Sequence, residues 1–247
     1  MNNEATLEKM QKMKLYGMLR AFNQSLEQRL VNKVSTDEFV AHLIDAEWDD
    51  RHNRRLKRLI KQAKFRYQAS LAEVDFELKR GLDKNMLLRL SECSWIRKRQ
   101  DIIITGPTGV GKSFLACALG YQGCMYGFKV LYFNCGKLFP YLKLARADGS
   151  YIKELNRIGK QDVLVLDDFG LHPLDTQMRL SLLEIMEDRH GKRSTVISSQ
   201  FPVRSWHEVI GEPTIADAIC DRIIHTAFRI ELTGESVRKK YASKKLT

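Results

Sequence analysis

Eight residues constrain this 247-residue chain more than any others: Gly106, Pro107, Thr108, Gly109, Val110, Gly111, Lys112 and Ser113 follow the pattern GxxxxGK[ST]. The run Asp101–Thr105 before them is apolar and β-branched, which predicts a buried strand. The run from Phe114 to Leu119 after them continues well as a helix. Strand, glycine loop and helix together turn a pattern match into a phosphate site; a chance match in a loop would lack both flanks. The glycines let several backbone N–H groups converge on phosphate oxygens, and the helix N-terminus adds its positive dipole end. Residues 106–114, from Gly106 to Phe114, are therefore the expected nucleotide contacts. Lys112 is expected to reach the β- and γ-phosphates, and the Ser113 hydroxyl to bind Mg2+.

The rest of the composition narrows the class. Hydrophobic content of 44% suits a globular protein. No apolar run approaches the roughly 18 residues that would span a bilayer, so no membrane partner is expected. The polar start, Met1 to Thr6, does not read as a secretory signal. Five cysteines without a CxxC pair read as reduced, mostly buried thiols of a cytoplasmic protein. The formal net charge of +11 suits a polyanionic partner, although a basic surface can also simply aid solubility.

Along the chain, the first 90 residues hold two glycines and no proline and read as helical. Leu7, Met10, Leu15, Leu19, Phe22, Leu26 and Leu30 recur at spacings close to three and four, giving an amphipathic stripe. Between Arg51 and Arg66 lie eight Lys or Arg residues and no acid. Solvated helix faces usually mix charge signs, so this run is a candidate for sequence-independent contact with duplex phosphates, through Arg51, Arg54, Arg55, Arg58 and Lys61. The organisation expected is a helical DNA-binding and oligomerisation domain over 1–68, a connector over 69–95, and a nucleotide domain with a basic tail over 96–247. Leu87, Leu88, Leu90 and Trp95 in the connector, with Ile96 just after it, could close the nucleotide pocket, but core packing suits them better.

From residue 100 onward strands and helices alternate. Strands are predicted at Asp101–Thr105, Lys129–Phe133, Val163–Asp167, Ser194–Ser198 and Phe228–Leu232, an α/β arrangement with a parallel sheet covered on both faces. The third of these ends in Asp167 and Asp168, 55 residues after Lys112. A parallel strand delivers its last residues to the mouth of the sheet, so Asp167 is expected in the magnesium shell and Asp168 is expected to polarise the attacking water. The fourth ends in the polar run Ser198, Ser199 and Gln200, beside the phosphate-loop strand.

The segments GPTGVGKSFLACALG, VLVLDDFG, VISSQFP and DRIIHTAFRIEL resemble the AAA+ ATPases of the IstB/DnaC type, in particular the IstB-like transposition helper ATPases. The resemblance implies a three-layer P-loop (ASCE) domain with strand order 5-1-4-3-2 and ATP bound between subunits of a ring or spiral; the chain stops soon after Arg238, so no C-terminal lid is expected. It makes Gln200 the first sensor and Arg222 the arginine finger offered to a neighbouring subunit, with Arg189 as a second candidate. Arg238 could act as a second sensor. The implied task is oligomerisation on double-stranded DNA to assist a partner transposase. A replicative helicase loader shares these motifs, and a P-loop small-molecule kinase is the alternative of a different class.

Between Phe133 and Val163 lie 29 residues, more than one crossover helix needs. The stretch interleaves bases with aromatics and resembles the extra helix of initiator-type and helicase-loader AAA+ proteins. Lys143 and Arg146 are the DNA contacts expected there, against the plainer reading of an amphipathic helix with a basic outer face.

Overall fold

A computed structural model describes residues 3–28, 34–78 and 80–237. Leu30, Arg238 and the basic tail lie outside the described residues. The chain divides into two compact units, Met1–Arg58 and Leu59–Thr247. By this division the segment 69–95 belongs to the second unit.

The first unit contains helices α1 (Asn3–Lys12), α2 (Tyr16–Glu27) and the longer part of α3 (Thr36–Ala63). Gly17 lets α2 meet α3 at close range, since a Cβ there would stand 2.2 Å from the Ala46 carbonyl oxygen. The contact also caps α2. The buried Glu47 carboxylate accepts the N–H of Gly17 at 2.8 Å and of Met18 at 3.3 Å, two of the donors that a helix start leaves unpaired. The Phe22 and Phe39 rings pack 6.1 Å apart.

The second unit is built on five parallel strands: β1 (Ile102–Thr105), β2 (Val130–Asn134), β3 (Val163–Phe169), β4 (Ser194–Ser199) and β5 (Phe228–Glu231). Their order is β2-β3-β4-β1-β5, the expected 5-1-4-3-2 read from the other edge. Both faces of the sheet are covered, and the period-2 alternation sorts the residues. Ile103, Leu131, Leu164, Leu166 and Ile197 share one core with α7 (Cys135–Ala147), α8 (Tyr151–Gly159), α9 (Thr176–Arg189), α10 (Trp206–Ile210) and α11 (Pro213–Ile224). Against the other face lies α6 (Lys112–Met125), whose Gly120 and Gly123 allow close approach: Cβ atoms there would stand 3.3 and 3.4 Å from Val130. Phe65 packs over the same Gly120. Two shorter helices, α4 (Lys84–Ser91) and α5 (Ser94–Arg97), lead into β1 and bury Leu87, Leu90, Trp95 and Ile96.

Two helices, α7 and α8, occupy the long crossover between β2 and β3. Among the described residues no helix is long and apolar enough to cross a membrane.

Candidate functional site

The loop from Gly106 to Gly111 leaves the C-terminal end of β1 and feeds α6. Gly106, Gly109 and Gly111 have φ of 144, 88 and 100°, so the loop takes a path that side-chain-bearing residues rarely adopt. Lys112 is the first residue of α6, and its ammonium donates to the Pro107 carbonyl at 2.8 Å, lying back across the loop. Thr108 donates its hydroxyl to Gln200 Oε1 at 2.8 Å, tying the loop to the end of β4.

The two carboxylates at the end of β3 are held differently. The pairing of β3 with β4 shifts register between Leu166 and Phe169, and Asp168 takes φ 57°. That local irregularity sends the neighbouring side chains to different surroundings. Asp167 is fully buried, accepting from the Tyr132 hydroxyl at 2.7 Å and from the Ser198 hydroxyl. Burial, followed by the Asp167 charge, pushes the Tyr132 phenol well above its usual range, so it remains a donor. Asp168 faces outward. Its Oδ2 accepts from Asn134 Nδ2 at 2.7 Å and from an Arg66 guanidinium nitrogen at 3.2 Å. Burial lowers the Arg66 pKa, but the surrounding tyrosines and aspartates outweigh it, and the guanidinium stays charged.

These groups surround a cavity of about 720 Å³. Of the expected contacts, Thr108, Gly109, Gly111, Lys112, Ser113, Phe114, Asp168 and Gln200 line it. Gly106, Pro107, Val110 and Asp167 are not among its lining residues. Val110 is buried, and a Cβ on Gly106 would stand 2.1 Å from the Leu232 carbonyl oxygen. The wall also contains Arg66, Tyr67, Leu78, Arg80 and Val237, which the sequence reading did not assign to it. Arg80 donates to the Val110 carbonyl at 3.2 Å, and Val237 N–H to Gly109 O at 2.9 Å, so segments before β1 and after β5 both close over the loop. The signal that could have found those before β1 is a mixed run of aromatic, acidic and basic residues between 66 and 80 without the periodicity of a helix; Val237 carries no such signal. The donor set fits a magnesium triphosphate: Lys112, Arg66 and Arg80 supply positive charge, loop N–H groups supply donors, and the Ser113 hydroxyl is a hard oxygen on the wall, while Asp167, the carboxylate expected in the magnesium shell, is held off the wall by Tyr132 and Ser198.

The two arginine-finger candidates separate cleanly. Arg189 is 1% exposed and donates to the carbonyls of Ile158 at 3.0 Å, Gln161 at 2.9 Å and Ser194. Burial pulls its pKa down to about 9. A group so enclosed cannot enter another subunit's site, and the second candidacy is withdrawn. Arg222 is partly exposed in the last turn of α11, donating to Ala218 O at 2.6 Å and Glu187 Oε1 at 2.8 Å. After α11 the chain enters β5 at Phe228, opposite Ile102 at the start of β1. Arg222 therefore belongs to the edge where strands begin, and the phosphate loop to the edge where they end.

The residues expected on DNA are variously engaged. In the first unit Arg51 pairs with Glu47 at 2.6 Å and Arg54 with Asp50 at 2.6 Å, while Arg55 and Arg58 are exposed. In the second unit Lys61 and Lys143 are exposed, and Arg146 stacks 3.6 Å over the Tyr151 ring. Arg66, counted in the same basic run, lies instead in the phosphate cavity.

Parallel strands in this order, a glycine loop between β1 and α6, and paired acids at the end of β3 are the architecture of a P-loop nucleotide-binding domain. The folds of DnaI (TM-score 0.55, 24% identity, 72% of this chain and 94% of that one) and of the DnaC helicase loader (0.51, 20%, 71% and 99%) are similar. A profile described as "IstB-like ATP binding protein" matches residues 8–245, and the chain belongs to that family. It is 45% identical over 97% of its length to an insertion sequence ATP-binding protein, y4pL, of Sinorhizobium fredii, covering 98% of that protein. With the IS21 ATP-binding protein of Pseudomonas aeruginosa it shares 29% identity, over 87% of this chain and 81% of that one.

Proposed function

We propose that the protein is the ATP-dependent assembly factor of an insertion sequence: it oligomerises on duplex DNA and assists a partner transposase. The observation that carries this reading is the separation of Arg222 from the phosphate loop. One strand of the sheet spans about 10–13 Å, and Arg222 lies past its beginning while the loop lies past its end. The cation that completes the site is then supplied by a second copy of the chain, and nucleotide binding becomes a cause of assembly. The naming of the relatives as insertion sequence proteins supports the transposase as partner.

In this reading Lys112 and the loop N–H groups hold the β- and γ-phosphates. Asp168 orients the attacking water and takes up its proton, and Gln200 fixes the geometry from β4. Water attacks the terminal phosphorus, the bond to the bridging oxygen breaks, and ADP and phosphate leave. Ser113 and Asp167 would hold Mg2+, which would supply neutralisation of phosphate charge. Arg222 from the neighbouring copy stabilises charge on the transferring group. Exposed bases on the helices, Arg55, Arg58, Lys61 and Lys143 among them, grip phosphates without reading sequence, with a steep salt dependence. A protein named as a helicase loader has a similar fold, so loading of a replicative helicase is the second reading.

The test is ATP turnover by the wild-type chain, Lys112→Ala and Arg222→Ala, with and without duplex DNA, alongside imaging of the assemblies. Duplex should stimulate the wild type and yield higher oligomers. Both variants should lose turnover, and Arg222→Ala should still bind nucleotide as a single subunit. Turnover indifferent to DNA, with no higher oligomer, would overturn the assembly reading.

A further inference from the structure

Arg66 occupies a position that the basic run around it does not explain. Helix α3 ends at Ala63, Lys64 turns the chain with φ 56°, and Phe65 packs on Gly120 of α6, where a Cβ would stand 2.7 Å from its ring. The next residue is thereby aimed into the cavity that Lys112, Ser113 and Asp168 also line. Its guanidinium lies 3.2 Å from Asp168 Oδ2 and 3.7 Å from Asp167 Oδ2.

The consequence for Asp168 follows from its lone pairs. A carboxylate oxygen has about two directions in which to accept hydrogen bonds. On Oδ2 one is taken by Asn134 and the other by Arg66. With both directions taken, that oxygen has none left with which to hold a water.

We infer that Arg66 is a positioning residue that senses the terminal phosphate: it exchanges Asp168 for the γ-phosphate when ATP enters and so frees the carboxylate to orient water. This rests on reading the site as an ATPase and adds what makes its base conditional on a triphosphate. Arginine suits the exchange. Its planar fork matches phosphate as well as carboxylate, and a terminal phosphate carries more negative charge than the aspartate it replaces. ADP lacks that group, leaving Arg66 on Asp168. A fixed structural ion pair would not distinguish the two nucleotides.

The experiment is competition of ATP and of ADP, each with Mg2+, against a fluorescent nucleotide bound to the full chain, for the wild type, Arg66→Ala, Arg66→Gln and Arg66→Lys. The expected result is a loss of ATP affinity of about tenfold or more in Arg66→Ala and Arg66→Gln, the scale of one charge-assisted contact, with ADP affinity held within about twofold. Arg66→Lys, which keeps the charge and loses the fork, should recover part of the preference. Equal weakening of both nucleotides, or no change in either, overturns the inference. A wild-type chain that binds neither overturns the nucleotide reading beneath it. Failure of DNA to stimulate turnover counts against the assembly reading alone, since this measurement needs neither DNA nor hydrolysis.

Discussion

Replacing Gly106 by alanine tests whether the first loop glycine serves packing rather than phosphate contact. Two costs can be worked from the structure. At φ 144° an alanine is held in a region nearly closed to L-residues, which costs about 1–3 kcal/mol. Its Cβ would also stand 2.1 Å from the Leu232 carbonyl oxygen and 3.0 Å from the carbonyl carbon. That backbone cannot easily give way, because Leu232 N–H donates to Thr105 O at 2.8 Å and the Leu232 side chain is fully buried. Overpacking of this kind adds about 1–3 kcal/mol, for a total of roughly 2–6 kcal/mol. Gly149, between α7 and α8, is the internal control: its φ is 78°, but a Cβ would meet no heavy atom within 4 Å. Gly149→Ala should cost only the backbone conformation, about 1–2 kcal/mol. Urea unfolding of both variants, followed by tryptophan fluorescence, gives the comparison; the shift in midpoint at constant slope reads the loss. If Gly106→Ala is no more destabilising than Gly149→Ala, the clash with Leu232 is not real and the packing argument fails.

Burial raises the Asp101 pKa to about 7, against the opposing pull of the Thr195 N–H and of Arg189. With the folded value above the unfolded one, stability should fall as pH rises from about 4 to 7, by up to about 1.4 kcal/mol per unit. Asp101→Asn keeps an acceptor for Thr195 and should flatten that slope in pH-dependent melting; an unchanged slope would place the titration elsewhere. Burial raises the Glu47 pKa, but Arg51 and the N–H groups of Met18 and Gly17 outweigh it, leaving the value below the usual 4.5. Its contribution is present above that pH and lost as pH falls through the lowered value, so Glu47→Gln should cost about 1–2 kcal/mol at pH 7 and progressively less in acid. Equal losses at pH 7 and pH 3 would refute the ionic cap. Arg189→Met leaves three buried carbonyls without their charged donor but removes a desolvated charge, for a net loss of about 2–5 kcal/mol in unfolding measurements. Folded Arg189→Met should keep turnover, whereas Arg222→Ala should lose it and regain some when mixed with Lys112→Ala; a folded Arg189→Met that loses turnover and regains it on that mixing would return it to the list of fingers.

How far the sequence could be read depended on whether a residue's setting is local. Strands such as Ile102–Thr105 and Val163–Leu166 are buried on both faces, so their composition alone marks them, and the loop between β1 and α6 carries its own geometry in its glycines. Nothing local separates Arg189 from Arg222, each an arginine in the last turn of a helix. What separates them is the return of the chain after each helix. β4 brings Ser194 and Thr195 back onto Arg189 and encloses it, while the strand after α11 leaves Arg222 at the rim. Arg66 is the same case in reverse: seven bases of its run share its chemistry, and only the turn at Lys64 and the seat of Phe65 on Gly120 carry it to the acids of β3. A cation's role in this chain is thus set by which segment packs beside it. A one-sign run therefore has to be divided residue by residue before any of it is assigned to DNA.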